Sequence, residues 1–243
     1  MKYLLDADIV AFKAATSVER PVNWGDGMWT LHAYEAEAID AVHDYLDRVT
    51  KSLGRGEFFF FLTAPKNWRK DILPTYKENR KSVRKPLLLP FLREWMQEEW
   101  NAVISSPLEA DDLIGIAATA TTDDCIIVSE DKDLLTIPAK IFNPAKGELH
   151  DINKYTATYN HMLQTLVGDK TDGYDGCPTI GMVRAHRILE EAKTTQEMWE
   201  LVVQAYQKQG LSKSVALQQA QVSRICHASD FDERKGKVIP WTP

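Results

Sequence analysis

No apolar run in these 243 residues approaches the roughly 18–20 needed to cross a bilayer. The opening stretch, Met-Lys-Tyr-Leu-Leu-Asp-Ala-Asp, meets charge before a signal-peptide core could form. No membrane partner is expected, and the expected setting is the cytoplasm. Cysteine is scarce. Cys125, Cys177 and Cys226 are odd in number, far apart and without a CxxC spacing, so they read as reduced packing residues. Six histidines include no HExxH pairing, which argues against a zinc enzyme. Repeats and low-complexity tracts are lacking as well. What remains is an ordinary globular composition, 44% hydrophobic and 26% charged, enough for one domain or a domain with an appendage.

The formal net charge of −6 at first disfavours a nucleic-acid partner. The charge is segregated, however. Between Lys66 and Lys85 lie Lys66, Arg69, Lys70, Lys77, Arg80, Lys81, Arg84 and Lys85, against only Asp71 and Glu78. This is a concentrated basic patch on an acidic body. Charge runs are usually solvated surface, but Trp68 and Tyr76 interleave with the cations, which suits backbone tracking with base stacking.

Apolar spacing gives the organisation. Tyr3–Val10 reads as a buried strand ending near Asp6 and Asp8. Residues 23–31, with Gly25-Asp26-Gly27 between tryptophans, read as a hairpin. Residues 33–53 are helical, with Ile39, Val42, Leu46, Val49 and Leu53 at spacings of three and four. Phe58–Leu62 is a short strand. The basic segment, broken by Pro65, Pro74 and Pro86, is loop with short helices. A helix at 86–100, a strand at Val103–Ile104, a helix at 107–120, and strands at 125–129 and 140–142 follow. This alternation predicts an α/β fold with a central, mostly parallel sheet flanked by helices. Beyond 155 the pattern is all-helical, near 154–167, 180–192, 196–208 and 212–228. The expected division is therefore 1–155 and 156–243, packed as one compact unit.

The acids fall at chosen places. Asp6 and Asp8 end the first strand; Glu109, Asp111 and Asp112 open a helix; Asp131 and Asp133 follow the 125–129 strand; Asp169 and Asp172 flank a glycine-bounded turn. The carboxyl ends of parallel strands converge on one crevice. Carboxylates gathered there repel one another unless cations neutralise them. Oxygen donors without Cys or His suit Mg²⁺ or Mn²⁺, and two such ions serve phosphodiester hydrolysis. Each group also has a plain alternative. Ser106-Pro107-Leu108-Glu109 fits a capping box, Asp131 and Asp133 fit a loop, and Asp169 or Asp172 fits a helix cap. Their joint placement favours the site.

Five motifs in order, Leu5-Asp6-Ala7-Asp8, Tyr76-Lys77-Glu78-Asn79-Arg80, Leu108-Glu109-Ala110-Asp111-Asp112, Ser129-Glu130-Asp131-Lys132-Asp133 and Gly168-Asp169-Lys170-Thr171-Asp172-Gly173, resemble those of flap endonucleases. Asn67-Trp68-Arg69-Lys70, Thr171-Asp172-Gly173-Tyr174 and the Trp241-Thr242-Pro243 ending look closest to 5′→3′ exonucleases of short-tailed phages. The resemblance spans nearly the whole chain. It implies a nuclease core at 1–155 with a helical arch in the basic segment at about 66–90, and a duplex-binding module at 156–243 containing a helix–three-turn–helix. It implies two Mg²⁺ or Mn²⁺ ions, the first held by Asp6, Glu109, Asp111 and Asp112, the second by Asp131, Asp133, Asp169 and Asp172. Lys77 and Arg80 would steady the scissile phosphate and Tyr76 would stack on the terminal base. Arg69, Lys70, Lys81, Arg84 and Lys85 would follow DNA. Gly176, Ile180 and Gly181 belong to the turn that grips duplex, with a K⁺ ion there in many members. The implied activity is metal-dependent 5′→3′ exonuclease and flap endonuclease hydrolysis of DNA, or of RNA primer in a hybrid, to 5′-phosphate and 3′-hydroxyl products, by a monomer of phage origin.

One position departs from the family pattern. After the Phe58–Leu62 strand the family carries an aspartate of the first metal site; here the comparable residue is Ala64, with Asp8 a possible substitute. The expectation is slowed cleavage, restored by Ala64→Asp. The departure also prompts an alternative, a structure-specific DNA-binding protein with little catalysis. A PIN-type ribonuclease ranks last, because that group is shorter and lacks the 168–181 segment.

Overall fold

The computed structural model describes residues 1–120 and 124–243. In chain order it comprises β1 (Lys2–Asp6), α1 (Ala7–Ser17), β2 (Arg20–Asn23), β3 (Trp29–His32), α2 (Glu35–Leu53), β4 (Glu57–Leu62), α3 (Arg69–Ile72) and α4 (Leu89–Trp100). Then come β5 (Val103–Ile104), α5 (Ala110–Ala120), β6 (Cys125–Val128), β7 (Lys140–Asn143), β8 (Glu148–Asp151) and α6 (Lys154–Val167). The chain closes with α7 (Met182–Leu189), α8 (Thr195–Lys208), α9 (Lys213–Ser223), β9 (Phe231–Asp232) and β10 (Lys237–Val238). Among the described residues no helix is long and apolar enough to cross a membrane.

Six strands form one sheet in the order β5-β4-β1-β6-β7-β8, parallel except for the antiparallel edge strand β8. The central strands are apolar almost throughout, Tyr-Leu-Leu in β1 and Phe-Phe-Phe-Phe-Leu in β4, because helices cover both faces. On one face Leu5 and Leu62 pack with α1, α2 and α4 through Val10, Val42 and Leu92. On the other, Leu4 and Ile127 pack with α5 through Ile114, together with Ile225 and Cys226 returning from the C-terminal region. Helices α6 to α9 enclose a third cluster around Met162, Leu189, Trp199 and Tyr206. Each such large side chain contributes roughly 1.5–3 kcal/mol by leaving water.

The first strand is shorter than its apolar run. Asp6 ends it and turns the chain, its carboxylate accepting the Asp8 N–H at 2.9 Å and the Ile9 N–H at 3.2 Å, so Ala7 opens α1 rather than prolonging β1. That N-cap is what the expected strand to Val10 missed. The hairpin forms where expected, as β2 and β3. The basic segment holds only α3 and a short 3-10 turn at Glu78–Ser82, so over 66–88 it is looped rather than a continuous helical arch. Its prolines account for this. The loop is moored at its middle by the Lys77 N–H on Asp172 O at 2.8 Å and near its far end by an Arg84–Glu19 ion pair.

Candidate active site

The carboxyl ends of β1, β4 and β6 open into a cleft of about 640 Å³. Seven of the eight acids expected there line it: Asp6, Glu109, Asp111, Asp131, Asp133, Asp169 and Asp172. Asp8 joins them, as do Lys77, Arg80, Lys132 and Thr63. Strand ends and helix starts place these groups. Asp6 is both the last residue of β1 and the cap of α1, and Glu109 and Asp111 sit at the entry to α5. Asp131 follows β6 and caps the next turn by accepting the Asp133 N–H at 2.8 Å. Asp169 orders its own turn, accepting the Thr171 N–H at 2.7 Å. That turn needs Gly168 at φ 73°, where a Cβ would stand 2.3 Å from the Asp175 carbonyl carbon.

The electrostatics follow from crowding. Burial, then the like charges of Asp131 and Glu109, push Asp6 up to about 7, against the Ile9 N–H and Lys77. Burial and Asp131 do the same to Asp133, also to about 7. Asp111 is raised well above the carboxyl range by burial, Asp6 and Asp131, and its Oδ1 is buried without a hydrogen-bond partner. Burial would raise Glu109 too, but Lys77 and Arg69 outweigh it and hold its carboxyl low. Lys77 Nζ lies 2.6 Å from Glu109 Oε1 and 3.5 Å from Asp172 Oδ2, and Arg80 pairs with Asp172.

A divalent cation fits this chemistry. Three carboxyls whose proton affinity is raised by burial and then by acidic neighbours, and the buried Oδ1 atoms of Asp8 and Asp111 without hydrogen bonds, describe a site short of positive charge. As placed, no group of three or more His, Cys, Asp or Glu among the described residues is drawn close enough to clasp one ion. The chain's own cations lining the cleft are Lys77, Arg80 and Lys132, which pair with its acids, and Lys13, which pairs with Glu130.

The structure corrects several expectations. Asp112 is fully buried and away from the cleft, its carboxylate taken by Arg69, the Trp68 indole N–H, the Glu109 N–H and the Cys226 N–H. With every lone pair engaged it is a structural anchor rather than a ligand. Arg69, expected on DNA, is 2% exposed and bridges Asp112 and Glu109 to the carbonyls of Val222 and Arg224. Tyr76, expected to stack on a base, is 3% exposed, with its hydroxyl donating to Glu109 at 3.1 Å and Asp172 at 2.9 Å. Trp68 is buried likewise. These residues interleave with cations because they carry the loop's inner face, a reading that periodicity could not supply. The capping box that was the plain alternative at Ser106–Glu109 gives way to Thr63 Oγ1, which accepts the Ala110 N–H at 3.1 Å.

Lys70, Lys81, Arg84 and Lys85 are exposed, although Lys81 pairs with Glu78 and Arg84 with Glu19. Of the duplex-turn residues, Gly181 is open and caps α7, and Ile180 is half-buried. Gly176 is buried, its N–H donated to Gln219 at 2.9 Å, which withdraws it from any ligand. The residue facing the cleft beyond β4 is Thr63; Ala64, where an aspartate was expected to be missing, is 5% exposed and does not line the cleft. Two further residues, Asp8 and Arg93, form an ion pair at this edge. Nothing in the helical pattern around Arg93 announces it.

A family model described as the N-terminal resolvase-like domain of 5′-3′ exonucleases matches residues 1–163. The exodeoxyribonuclease of Enterobacteria phage T3 is 27% identical over 279 residues, covering 99% of this chain and 92% of the relative. The exonuclease of Escherichia phage T7 is 26% identical, covering 99% and 93%. In fold, the chain is similar to the 5′-exonuclease of phage T5 with bound divalent metal ions (zinc), at a TM-score of 0.67, 14% identity, and 92% and 88% coverage. It is also similar to the catalytic core of Rad2 in complex with DNA substrate, at a TM-score of 0.51, 16% identity, and 86% and 67% coverage.

Proposed function

The chain belongs to the 5′-3′ exonuclease family, and on that premise we propose that it cleaves DNA at a 5′ end or 5′ flap with divalent metal ions, leaving a 5′-phosphate and a 3′-hydroxyl. One observation carries this reading: Asp6, Asp111 and Asp131, from three separate segments, line a single cleft beside Lys77, where burial and the charge of Asp131 raise the proton affinity of both Asp6 and Asp111. In this reading Asp6, Glu109 and Asp111 would hold one Mg²⁺ or Mn²⁺ ion, and Asp131, Asp133, Asp169 and Asp172 would hold or shape a second. When bound, the ions lower the pKa of water and offset charge building on the phosphate oxygens.

The chain's own groups do the rest. Lys77 and Arg80 approach the cleft from one loop, and their charges hold the scissile phosphate against the acids and stabilise its extra negative charge. Tyr76 acts from behind, its hydroxyl setting Glu109 and Asp172 relative to each other. Gln164 orients Asp133, its Nε2 donating to Oδ1 at 2.7 Å. We assign 1–155 as the nuclease core and 156–243 as the duplex-binding module, with the exposed backbone at Thr179–Gly181 as its contact. A K⁺ ion there would share the carbonyls of Cys177 and Thr179 with the Ile180 N–H and Arg184, each of which leaves one lone pair open. No step runs through one.

A 5′-labelled flap incubated with Mg²⁺ or with chelator tests the proposal. Release of short labelled products only with Mg²⁺, abolished by Asp111→Asn, supports it. Retention of the label while the DNA is bound favours the alternative, a structure-specific DNA-binding protein.

A further inference from the structure

A second set of contacts ties together the ends of β1 and β4. Asp8 lines the cleft two residues beyond Asp6, and its Oδ2 accepts the Thr63 N–H at 2.8 Å. Arg93, on α4, forms an ion pair with Asp8 Oδ1 and donates from Nη2 to the Thr63 carbonyl at 2.6 Å. Both side chains are about three-quarters covered, at 24% and 26% exposure. The guanidinium does not itself line the cleft. Its charge reaches the site through Asp8 and through its attraction to Asp6.

We propose that Asp8 is a latent metal ligand and that Arg93 is the positioning residue that holds it back, serving as a built-in counter-charge at this edge of the cleft. The inference rests on the metal reading given above. A divalent ion competes with Arg93 for Asp8 Oδ1. A covered, charge-assisted pair resists such exchange better than an exposed one. Sharing the carboxylate would bring like charges together. Like Asp111 Oδ1, Asp8 Oδ1 is buried without a hydrogen bond, and the ion pair with Arg93 is what offsets its charge. Removing the guanidinium would both free a carboxylate next to Asp6 and take a positive charge away from the ion's seat.

Mn²⁺ binding to metal-free protein without DNA, followed by calorimetry, tests this in four proteins: the unaltered chain, Arg93→Gln, Asp8→Asn and the double variant. Arg93→Gln is expected to bind Mn²⁺ about tenfold tighter or to take up an additional ion, each tenfold being 1.4 kcal/mol. In the Asp8→Asn background the same replacement is expected to change affinity less than threefold. Arg93→Lys, which retains the charge, is expected to stay within threefold of the unaltered chain. Should Arg93→Gln unfold, Arg93→Met keeps the apolar stem and carries the same expectation. Unchanged or weaker binding on loss of the guanidinium overturns the proposal, and so does a gain that persists without Asp8. Absence of Mn²⁺ binding in every protein would instead defeat the metal reading of the cleft, a distinguishable failure.

Discussion

Lys77 Nζ stands 2.6 Å from Glu109 Oε1, an ion pair that fastens the basic loop to the first turn of α5. The pair sets the charge of both partners: Glu109 is held below the usual carboxyl range and Lys77 above the usual amine value, each against the opposing pull of burial. A preorganised cation therefore faces the acids before any substrate arrives.

Lys77→Met should lower the rate of flap cleavage at saturating Mg²⁺ by about 10²–10³, the scale of losing one oriented charge contact at a reacting phosphate. DNA affinity in chelator should fall less than tenfold. Single-turnover kinetics and fluorescence anisotropy check the two halves.

Arg69→Met should destabilise the fold by roughly 3–5 kcal/mol in urea denaturation, because Asp112 would remain buried without its cation. A loss below about 1 kcal/mol would mean that Arg69 behaves as a surface charge. Mn²⁺ affinity of the folded fraction should change as well, because Arg69 also donates to Glu109, which lines the cleft.

The sequence was legible where one principle acted alone. The 3.6-residue period of Ile39 to Leu53 marked α2, and the Gly25-Asp26-Gly27 turn marked the hairpin. The convergence of seven acids followed from a general property of parallel sheets rather than from any spacing of their own. It failed where tertiary context chose between two uses of one residue. Asp112 differs from Asp111 by a single position, yet a 100° step around α5 turns it inward to Arg69. Arg69 and Tyr76 read as substrate contacts because composition shows charge and aromaticity but not which face of a loop is covered. Arg93 was invisible, since its partners Asp8 and Thr63 are far away in sequence.

Asp6 and Asp133, near 7 in the folded protein against the ordinary carboxyl value of 3.8, keep protons that the unfolded chain releases between those pH values. The folded state thus binds more protons in that window, and stability of the metal-free protein from these groups declines as pH rises from about 4 to 7. Mg²⁺ replaces those protons. It should raise the unfolding temperature by about 4 °C or more at pH 8 and by less than half as much at pH 5, as followed by calorimetry.

Thr63→Asp should place a new carboxylate in the cleft and tighten Mn²⁺ binding, because Thr63 lines it and an aspartate can still accept the Ala110 N–H. Ala64→Asp should instead cost about 2 kcal/mol or more of stability with little gain in binding, because that position is buried and does not line the cleft. Urea denaturation alongside Mn²⁺ titration separates the two. Equal behaviour of the two variants would contradict this geometry.

Anomalous scattering from a crystal soaked in Mn²⁺ bears most directly on the central claim, that distant acids share divalent cations at the carboxyl end of the sheet. The expected map has at least one peak within coordination distance of Asp6 and Asp111, lost in Asp111→Asn. Peaks confined to the protein surface, or none between Asp6, Asp111 and Asp131 at saturating Mn²⁺, would contradict the account.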